Sequence, residues 1–169
     1  MRTLLRNAGA CLRLAAAVLA ILLALVAAGP TEETKTIVFV CQHGVVNSQM
    51  AAAYFNRAAA ERGLPFRAVS RGIDLYRTVP IRVQDGLALD GLEVANMPQQ
   101  LVVEDMAGAG HVVAFDHIPA ERRGSVNVTY WSGVPLGIDD YEATRDQIVR
   151  RIDRLISALA TPQSGKVDR

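Results

Sequence analysis

The chain has 169 residues and a formal net charge of +1. This charge balance gives no reason to propose a nucleic-acid partner. The length suits one domain that buries enough surface to be stable without disulfide bonds. Of the two cysteines, Cys11 lies in the N-terminal segment, so a chain without that segment would hold Cys41 alone and could form no internal disulfide.

Residues 1–28 have the pattern of an export signal or an N-terminal anchor. Arg2, Arg6 and Arg13 precede an apolar run at residues 14–29. The run is slightly long for a signal peptide and short for a bilayer-spanning helix of about 20 residues, so cleavage and retention both remain open. Because the positive charges lie at the N-terminal side, we expect the remainder to be exported, to the periplasm or outside the cell. We expect contact with a membrane only if this segment is retained.

The next segment predicts a strand, a loop and a helix around Cys41. The β-branched and apolar residues 36–40 are typical of a central parallel strand. A short loop leads to Ser48, a residue type that often caps a helix, and apolar residues then recur at helical spacing until Gly63. A loop that wraps back onto a helix N-terminus directs several N–H groups at one point, which binds anions and favours a thiolate. The pattern therefore predicts an anion site beside Cys41.

The rest of the chain alternates strands with helices. Periodicity predicts strands at 66–70, 111–115 and 126–130, and helices at 81–89, 101–107 and 141–159. This order predicts an α/β fold, a three-layer sandwich with a mostly parallel four-stranded sheet that is covered by helices on both faces. We expect the domain to span residues 36–160 and to be followed by a polar, disordered tail at 161–169.

One set of residues around Cys41 follows a known pattern, and its members are Cys41, His43, Ser48, Gln49, Met50 and Ala51. In these residues the stretch resembles the phosphate-binding loop of the low-molecular-weight protein tyrosine phosphatase family, and within it the thioredoxin-coupled arsenate reductase branch. That loop reads cysteine, five residues, arginine, serine. Two residues depart from the pattern, because Gly44 replaces the usual asparagine and Asn47 stands where the family has its arginine. An arginine holds an oxyanion with a charged planar fork, whereas an asparagine offers dipoles and no charge.

The resemblance covers nearly the whole domain and implies a cysteine-dependent phosphatase site. Cys41 would be the nucleophile, and Ser48 would donate its hydroxyl to the thiolate. The loop would bind a phosphorylated or other oxyanionic ligand through Gln42, His43, Gly44, Val45, Val46, Asn47 and Ser48. We expect no cofactor and no metal. A partner protein is a further candidate ligand.

Two other parts of the family's chemistry are missing from the sequence. The family's aspartate–proline pair, which supplies the acid, falls where Leu136 and Gly137 stand. Asp139 and Asp140 lie just beyond and are either displaced acids or caps of the following helix. No cysteine follows Cys41, which excludes the intramolecular disulfide relay that the arsenate reductases use.

Several basic residues near the predicted loops have two interpretations. His43 and His117 are either acid–base or metal-binding groups or an ordinary loop residue and a surface residue. Arg71, Arg77 and Arg82 either replace the missing guanidinium from another direction or are solvated surface charges.

Two hypotheses about function follow. The leading one is an exported phosphatase-like or arsenate-reductase-like protein that uses Cys41, with weak phosphatase activity at best. The alternative is a catalytically inactive pseudophosphatase whose pocket binds an anion or a partner. Loss of both the arginine and the acid is what the alternative predicts, because each contributes about 100-fold or more to the rate. The sequence leaves open whether the protein is an enzyme.

Overall fold

A four-stranded parallel sheet organises residues 33–160, which are the part of the chain that the computed structural model describes. In the order β2-β1-β3-β4 across the sheet, the strands are β1 (Lys35–Cys41), β2 (Phe66–Gly72), β3 (His111–Ala114) and β4 (Val128–Tyr130). The helices of the same residues are α1 (Asn47–Glu61), α2 (Ile81–Leu89), α3 (Val103–Gly108), α4 (Ala120–Arg123) and α5 (Tyr141–Ala160). The predicted fold class is confirmed. The predicted leader and tail lie outside the described residues.

Strand β1 lies between β2 and β3 and divides the core into two layers. Ile37 and Phe39 pack on one face with residues of α1, α2 and α5. Val38 and Val40 pack on the other face with a smaller cluster that includes Met106 of α3. Both faces of β1 are therefore buried, which explains why this strand is a continuous apolar run rather than an alternating one.

Most predicted elements occur within a residue or two of their expected bounds, and α2 has the bounds that the sequence predicted. The four-residue helix α4 was not predicted, because it is too short to show a periodic pattern. The prediction of Ser48 as a helix cap is wrong: α1 begins at Asn47, and the capping residue is Val46, which makes no side-chain capping bond. No helix within residues 33–160 is long and apolar enough to span a membrane.

Candidate functional site

Cys41 is the last residue of the central strand, and the loop at residues 42–46 connects it to α1. The segment that follows β2 holds this loop in place. The amide of Ile73 donates to the carbonyl of Cys41, and the amide of Asp74 donates to the carbonyl of Gln42. The site therefore lies at the carboxyl edge of the sheet, where ligands bind in open parallel α/β folds.

Two glycines allow the loop to lie directly against the end of β2. Gly44 has φ +68°, in the left-handed region that glycine adopts without strain. A Cβ atom on Gly44 would lie 2.7 Å from the backbone nitrogen of Gly72, and one on Gly72 would lie 2.8 Å from the nitrogen of Gly44. The departure of Gly44 from the family's asparagine therefore fits the close backbone contact observed here.

Buried hydroxyl groups connect the Cys41 sulfur to the backbone of the loop. The Sγ atom of Cys41 is 2.9 Å from Oγ of Ser48, which is 2.8 Å from Oγ of Ser70, and Ser70 Oγ is 3.1 Å from the carbonyl oxygen of Gly44. With a thiol, Cys41 can donate to Ser48 or accept from it, while the hydroxyl of Ser70 donates to Ser48 or to the carbonyl of Gly44. With a thiolate, Ser70 can donate to Ser48 and Ser48 to the sulfur. The chain of hydroxyls can thus satisfy either form of Cys41.

Asn47, at the position of the family's arginine, ties two segments of the fold together. The residue is only 5% exposed, and its Nδ2 donates to the carbonyl of Pro135 at 2.9 Å while its Oδ1 accepts from the amide of Gly137 at 3.0 Å. Both polar atoms of the amide are therefore used within the protein. Nδ2 keeps a second N–H, so this side chain can still offer an anion one neutral donor, but it brings no charge.

One of the loop amides that were predicted to bind an oxyanion donates its hydrogen bond to a carboxylate of the protein instead. The backbone N–H of Gln42 donates to Oδ2 of Asp116 at 2.7 Å, and Nε2 of Gln42 donates to Oδ2 of Asp74, also at 2.7 Å. Asp116 is not among the site residues predicted from the sequence. The available signal was its position, because it follows β3 almost directly at the carboxyl edge of the sheet.

A cavity of about 350 Å³ lies against Cys41. Its walls consist of Cys41, Gln42, His43, Val46, Asn47, Phe115, Asp116, Val134 and Leu136. Five of the predicted site residues therefore line the cavity, while Gly44, Val45 and Ser48 are buried behind it. Among these lining residues there is no lysine or arginine, and the only carboxylate is that of Asp116.

His43 is held as a loop residue. Its Nδ1 atom is 2.8 Å from the carbonyl oxygen of Asp74, and since a carbonyl can only accept, Nδ1 carries the hydrogen. The ring also stacks on Tyr76, with centroids 3.9 Å apart. His117 is exposed and its ring faces that of Tyr130 at 6.4 Å. Within residues 33–160 no group of histidine, cysteine and acidic side chains is arranged to hold a metal ion.

The three arginines that were considered as substitutes for the missing guanidinium do not line the cavity. Arg71 pairs with Asp105, to which both Nε and Nη2 lie at 2.8 Å. Arg77 and Arg82 are exposed. Their geometry agrees with the interpretation as structural or solvated charges.

The two candidate replacements for the missing acid are also outside the cavity lining. Asp140 caps α5, because its Oδ1 atom accepts a hydrogen bond from the amide of Ala143 at 3.0 Å. Asp139 is exposed. Leu136, where the family has its aspartate, does line the cavity but has no proton to give.

Comparison with known proteins gives one family and a set of similar folds. A family model described as low molecular weight phosphotyrosine protein phosphatase matches residues 36–134. The structure of a YwlE arginine phosphatase mutant with a phosphorylated active-site serine is 24% identical, with a TM-score of 0.68, and the match covers 76% of this chain and 97% of that chain. Another YwlE mutant structure is from Bacillus subtilis.

Two other solved structures have the same fold. YfkJ from Bacillus subtilis is 19% identical with a TM-score of 0.66, and the match covers 78% of this chain and 97% of that one. Arsenate reductase from Archaeoglobus fulgidus is 25% identical with a TM-score of 0.57, covering 72% and 98% of the two chains. No curated protein sequence matches the chain.

Proposed function

The chain belongs to the low molecular weight phosphotyrosine protein phosphatase family, and on that premise we propose that it is a catalytically inactive member whose Cys41 cavity binds a ligand. One observation carries this proposal. Asn47 stands where the family has its arginine, and its amide is used to hold Pro135 and Gly137. The residue at the position where the family binds the transferred phosphoryl group therefore stabilises a contact between two segments of the fold.

Cysteine phosphatase chemistry needs three parts, and the cavity lacks two of them. The thiol is present, but the lining holds no guanidinium to neutralise the transferred group and has Leu136 where the leaving alcohol should meet an acid. Loss of one oxyanion donor costs about 100- to 1000-fold in rate, and loss of general acid catalysis costs about as much again. Together these losses account for inactivity toward phosphomonoesters without any change in fold.

A second candidate function is a weak cysteine-dependent phosphatase, or an arsenate-reductase-like protein, that acts on an oxyanionic ligand. The hydroxyl chain from Ser70 through Ser48 to Cys41 favours it, because that chain can stabilise a nucleophilic thiolate. In this case Cys41 would attack phosphorus and form a thiophosphate ester, and the leaving alcohol would have to take its proton from water. Weak activity at best follows from that last step.

Hydrolysis of an aryl phosphate separates the two candidates. The rate is measured for the wild-type protein and for Cys41→Ser, which keeps the size of the side chain but removes the nucleophilic sulfur. The proposal of an inactive member predicts the same background rate for both. Hydrolysis that the Cys41→Ser substitution abolishes would establish the second candidate instead.

We also propose that the domain is exported. The three arginines ahead of the apolar run at residues 14–29 support this proposal, because such charges stay on the cytoplasmic side. An alkaline phosphatase reporter fused after Lys35 should be active, since that enzyme needs an oxidising compartment for its disulfides. An inactive reporter would place the domain in the cytoplasm. Mass analysis of the exported protein would then show whether residues 1–28 are removed.

A further inference from the structure

Two carboxylates lie in or beside the lining of the Cys41 cavity. Asp116 lines the cavity, and Asp74 accepts a hydrogen bond from the side chain of Gln42, another lining residue. The nearby guanidinium groups are bound elsewhere: Arg71 pairs with Asp105, and Arg122 donates to the carbonyl oxygen of Ile73. A cavity of this kind repels an oxyanion and attracts a cation.

Asp116 can bind a further donor. A carboxylate offers about four lone-pair sites, and the hydrogen bond from the Gln42 amide uses one of them. The N-terminus of α1 opposes the negative charge of Asp116, because the helix dipole places the equivalent of roughly half a positive charge there. The full negative charge of Asp116 exceeds it. Asp116 is the only acidic side chain among the lining residues, which include no lysine or arginine, and it has acceptor sites for a further donor.

The remaining walls suit an apolar chain. The apolar residues of the lining, which they share with Asp116, are Val46, Phe115, Val134 and Leu136. Ion pairs and charge-assisted hydrogen bonds are stronger in such surroundings than in bulk water. A planar guanidinium can place two parallel N–H groups on one carboxylate, which a spherical cation cannot do.

We propose that the Cys41 cavity binds a guanidinium group carried on an apolar stem, with Asp116 as its counter-ion. The inference rests on the proposed function, because it names the class of ligand that binds at the same site. The cavity volume of about 350 Å³ accommodates a group of the size of an arginine side chain. A small guanidine compound and an arginine of a partner polypeptide present the same chemistry.

Calorimetric titration of the full chain with three probes of similar shape tests this inference. Butylguanidinium carries the charge, butylurea is its neutral counterpart, and butyl phosphate carries the opposite charge. We expect butylguanidinium to bind at least about tenfold more tightly than either of the others, because only it can form the charged pair with Asp116. Equal binding of butylguanidinium and butylurea, tighter binding of butyl phosphate, or no binding of any probe would overturn the inference.

Matched variants test the role of Asp116. Asp116→Asn should weaken butylguanidinium binding at least about tenfold, while Asp139→Asn, which removes an exposed carboxylate outside the lining, should not change it. If Asp116→Asn fails to fold, Leu136→Lys replaces it, since Leu136 is 45% exposed and a lysine there places a like charge at the cavity. Leu136→Lys should also weaken binding of butylguanidinium. An unchanged affinity for butylguanidinium in whichever of these two variants folds would overturn the assignment of Asp116 as the counter-ion.

A blocked glycine–arginine–glycine peptide distinguishes the two sources of the ligand. Binding as tight as that of butylguanidinium indicates a partner polypeptide, and binding of butylguanidinium alone indicates a small molecule. The hydrolysis assay stays independent of these titrations. Cys41-dependent hydrolysis would refute the inactive-member proposal, whereas an inactive protein that binds no guanidinium would refute only the present inference.

Discussion

Asn47 shows how a catalytic position can become a structural one. The side chain of Asn47 is buried, and it bonds Pro135 and Gly137 in the segment that leads to α5. The carbonyl of Pro135 also accepts a bond from the hydroxyl of Thr144, so the tether extends to the first turn of that helix. An arginine at position 47 could not make the same pair of bonds, because it has no acceptor.

We predict that Asn47→Ala lowers the free energy of unfolding by roughly 1–3 kcal/mol, because it leaves a buried amide at Gly137 without its acceptor. Chemical denaturation of the variant and the wild type measures the difference. Asn127→Ala, at an exposed position, is the control and should change stability by less than about 0.5 kcal/mol. Equal stability of the Asn47→Ala variant and the wild type would show that the tether contributes nothing.

Ser48 contacts the sulfur directly and should govern its reactivity. We predict that Ser48→Ala slows alkylation of Cys41 by iodoacetamide near neutral pH by about tenfold or more, because a hydrogen bond to a charged acceptor contributes roughly 1.5–3 kcal/mol. Mass spectrometry of the peptide that contains Cys41 gives the rate. Ser125→Ala, an exposed serine, should leave it unchanged. An unchanged rate in Ser48→Ala would mean that the observed contact does not stabilise the thiolate.

At the scale of elements, a buried cluster joins α1, α2 and α5. The hydroxyl of Tyr54 on α1 lies 2.5 Å from Oδ2 of Asp90 and 2.8 Å from the hydroxyl of Tyr141 on α5. Burial raises the pKa of both tyrosines, so both are neutral donors across the ordinary pH range. Gly86 on α2 lies directly against the Tyr141 ring, which a side chain at position 86 would overlap. The packing of α2 against α5 therefore requires a residue without a Cβ atom at position 86.

Because of the close contact at Gly86, we expect its substitution by alanine to change stability in the opposite direction from most glycine-to-alanine substitutions in helices. Glycine to alanine within a helix normally stabilises it by roughly 0.5–1 kcal/mol. We predict instead that Gly86→Ala destabilises the protein by roughly 1–3 kcal/mol, because the added methyl group displaces the Tyr141 ring. Gly108→Ala is the matched control, since nothing lies within 4 Å of a Cβ atom there. Thermal unfolding of both variants measures the effect, and a Gly86→Ala variant as stable as Gly108→Ala would contradict the packing described.

His111, at the start of β3, should make stability depend on pH. Burial lowers the pKa of His111 below its ordinary value of 6.5, and the ring bonds the hydroxyl of Thr129 on β4. The unfolded chain therefore takes up a proton at a higher pH than the folded one, so the free energy of unfolding falls as the pH drops below about 6.5. Denaturation at a series of pH values should show a smaller loss for His111→Gln. The same loss in both proteins would exclude His111 as its source.

At the scale of the whole molecule, the fold was predictable because its signals are local. Residues 36–40 form one apolar run, and the terminal helix repeats its buried residues Ile148, Ile152, Leu155 and Ile156 at helical spacing. A parallel sheet with helices between its strands follows from that order. The positions of Cys41 and Ser48 were predictable for the same reason, because strand, loop and helix are contiguous in the chain.

The interactions that decide the chemistry of the site could not be read from the sequence. Asn47 contacts Pro135 across 88 positions, and Gln42 contacts Asp116 across 74. Composition and periodicity say nothing about which loops meet at such separations. The sequence therefore showed that an arginine is missing, while only the structure shows what its replacement does and that Asp116 stands among the loop amides.

We infer that the loop around Cys41 keeps the fold of an oxyanion site but not the affinity of such a site for an oxyanion. Protection of Cys41 from alkylation by a large excess of inorganic phosphate tests this claim most directly, because a phosphate ion held by the loop would cover the sulfur. The rate is read from the peptide that contains Cys41, with chloride at equal ionic strength as the control. We predict the same alkylation rate in both solutions. A rate that phosphate slows and chloride does not would contradict it.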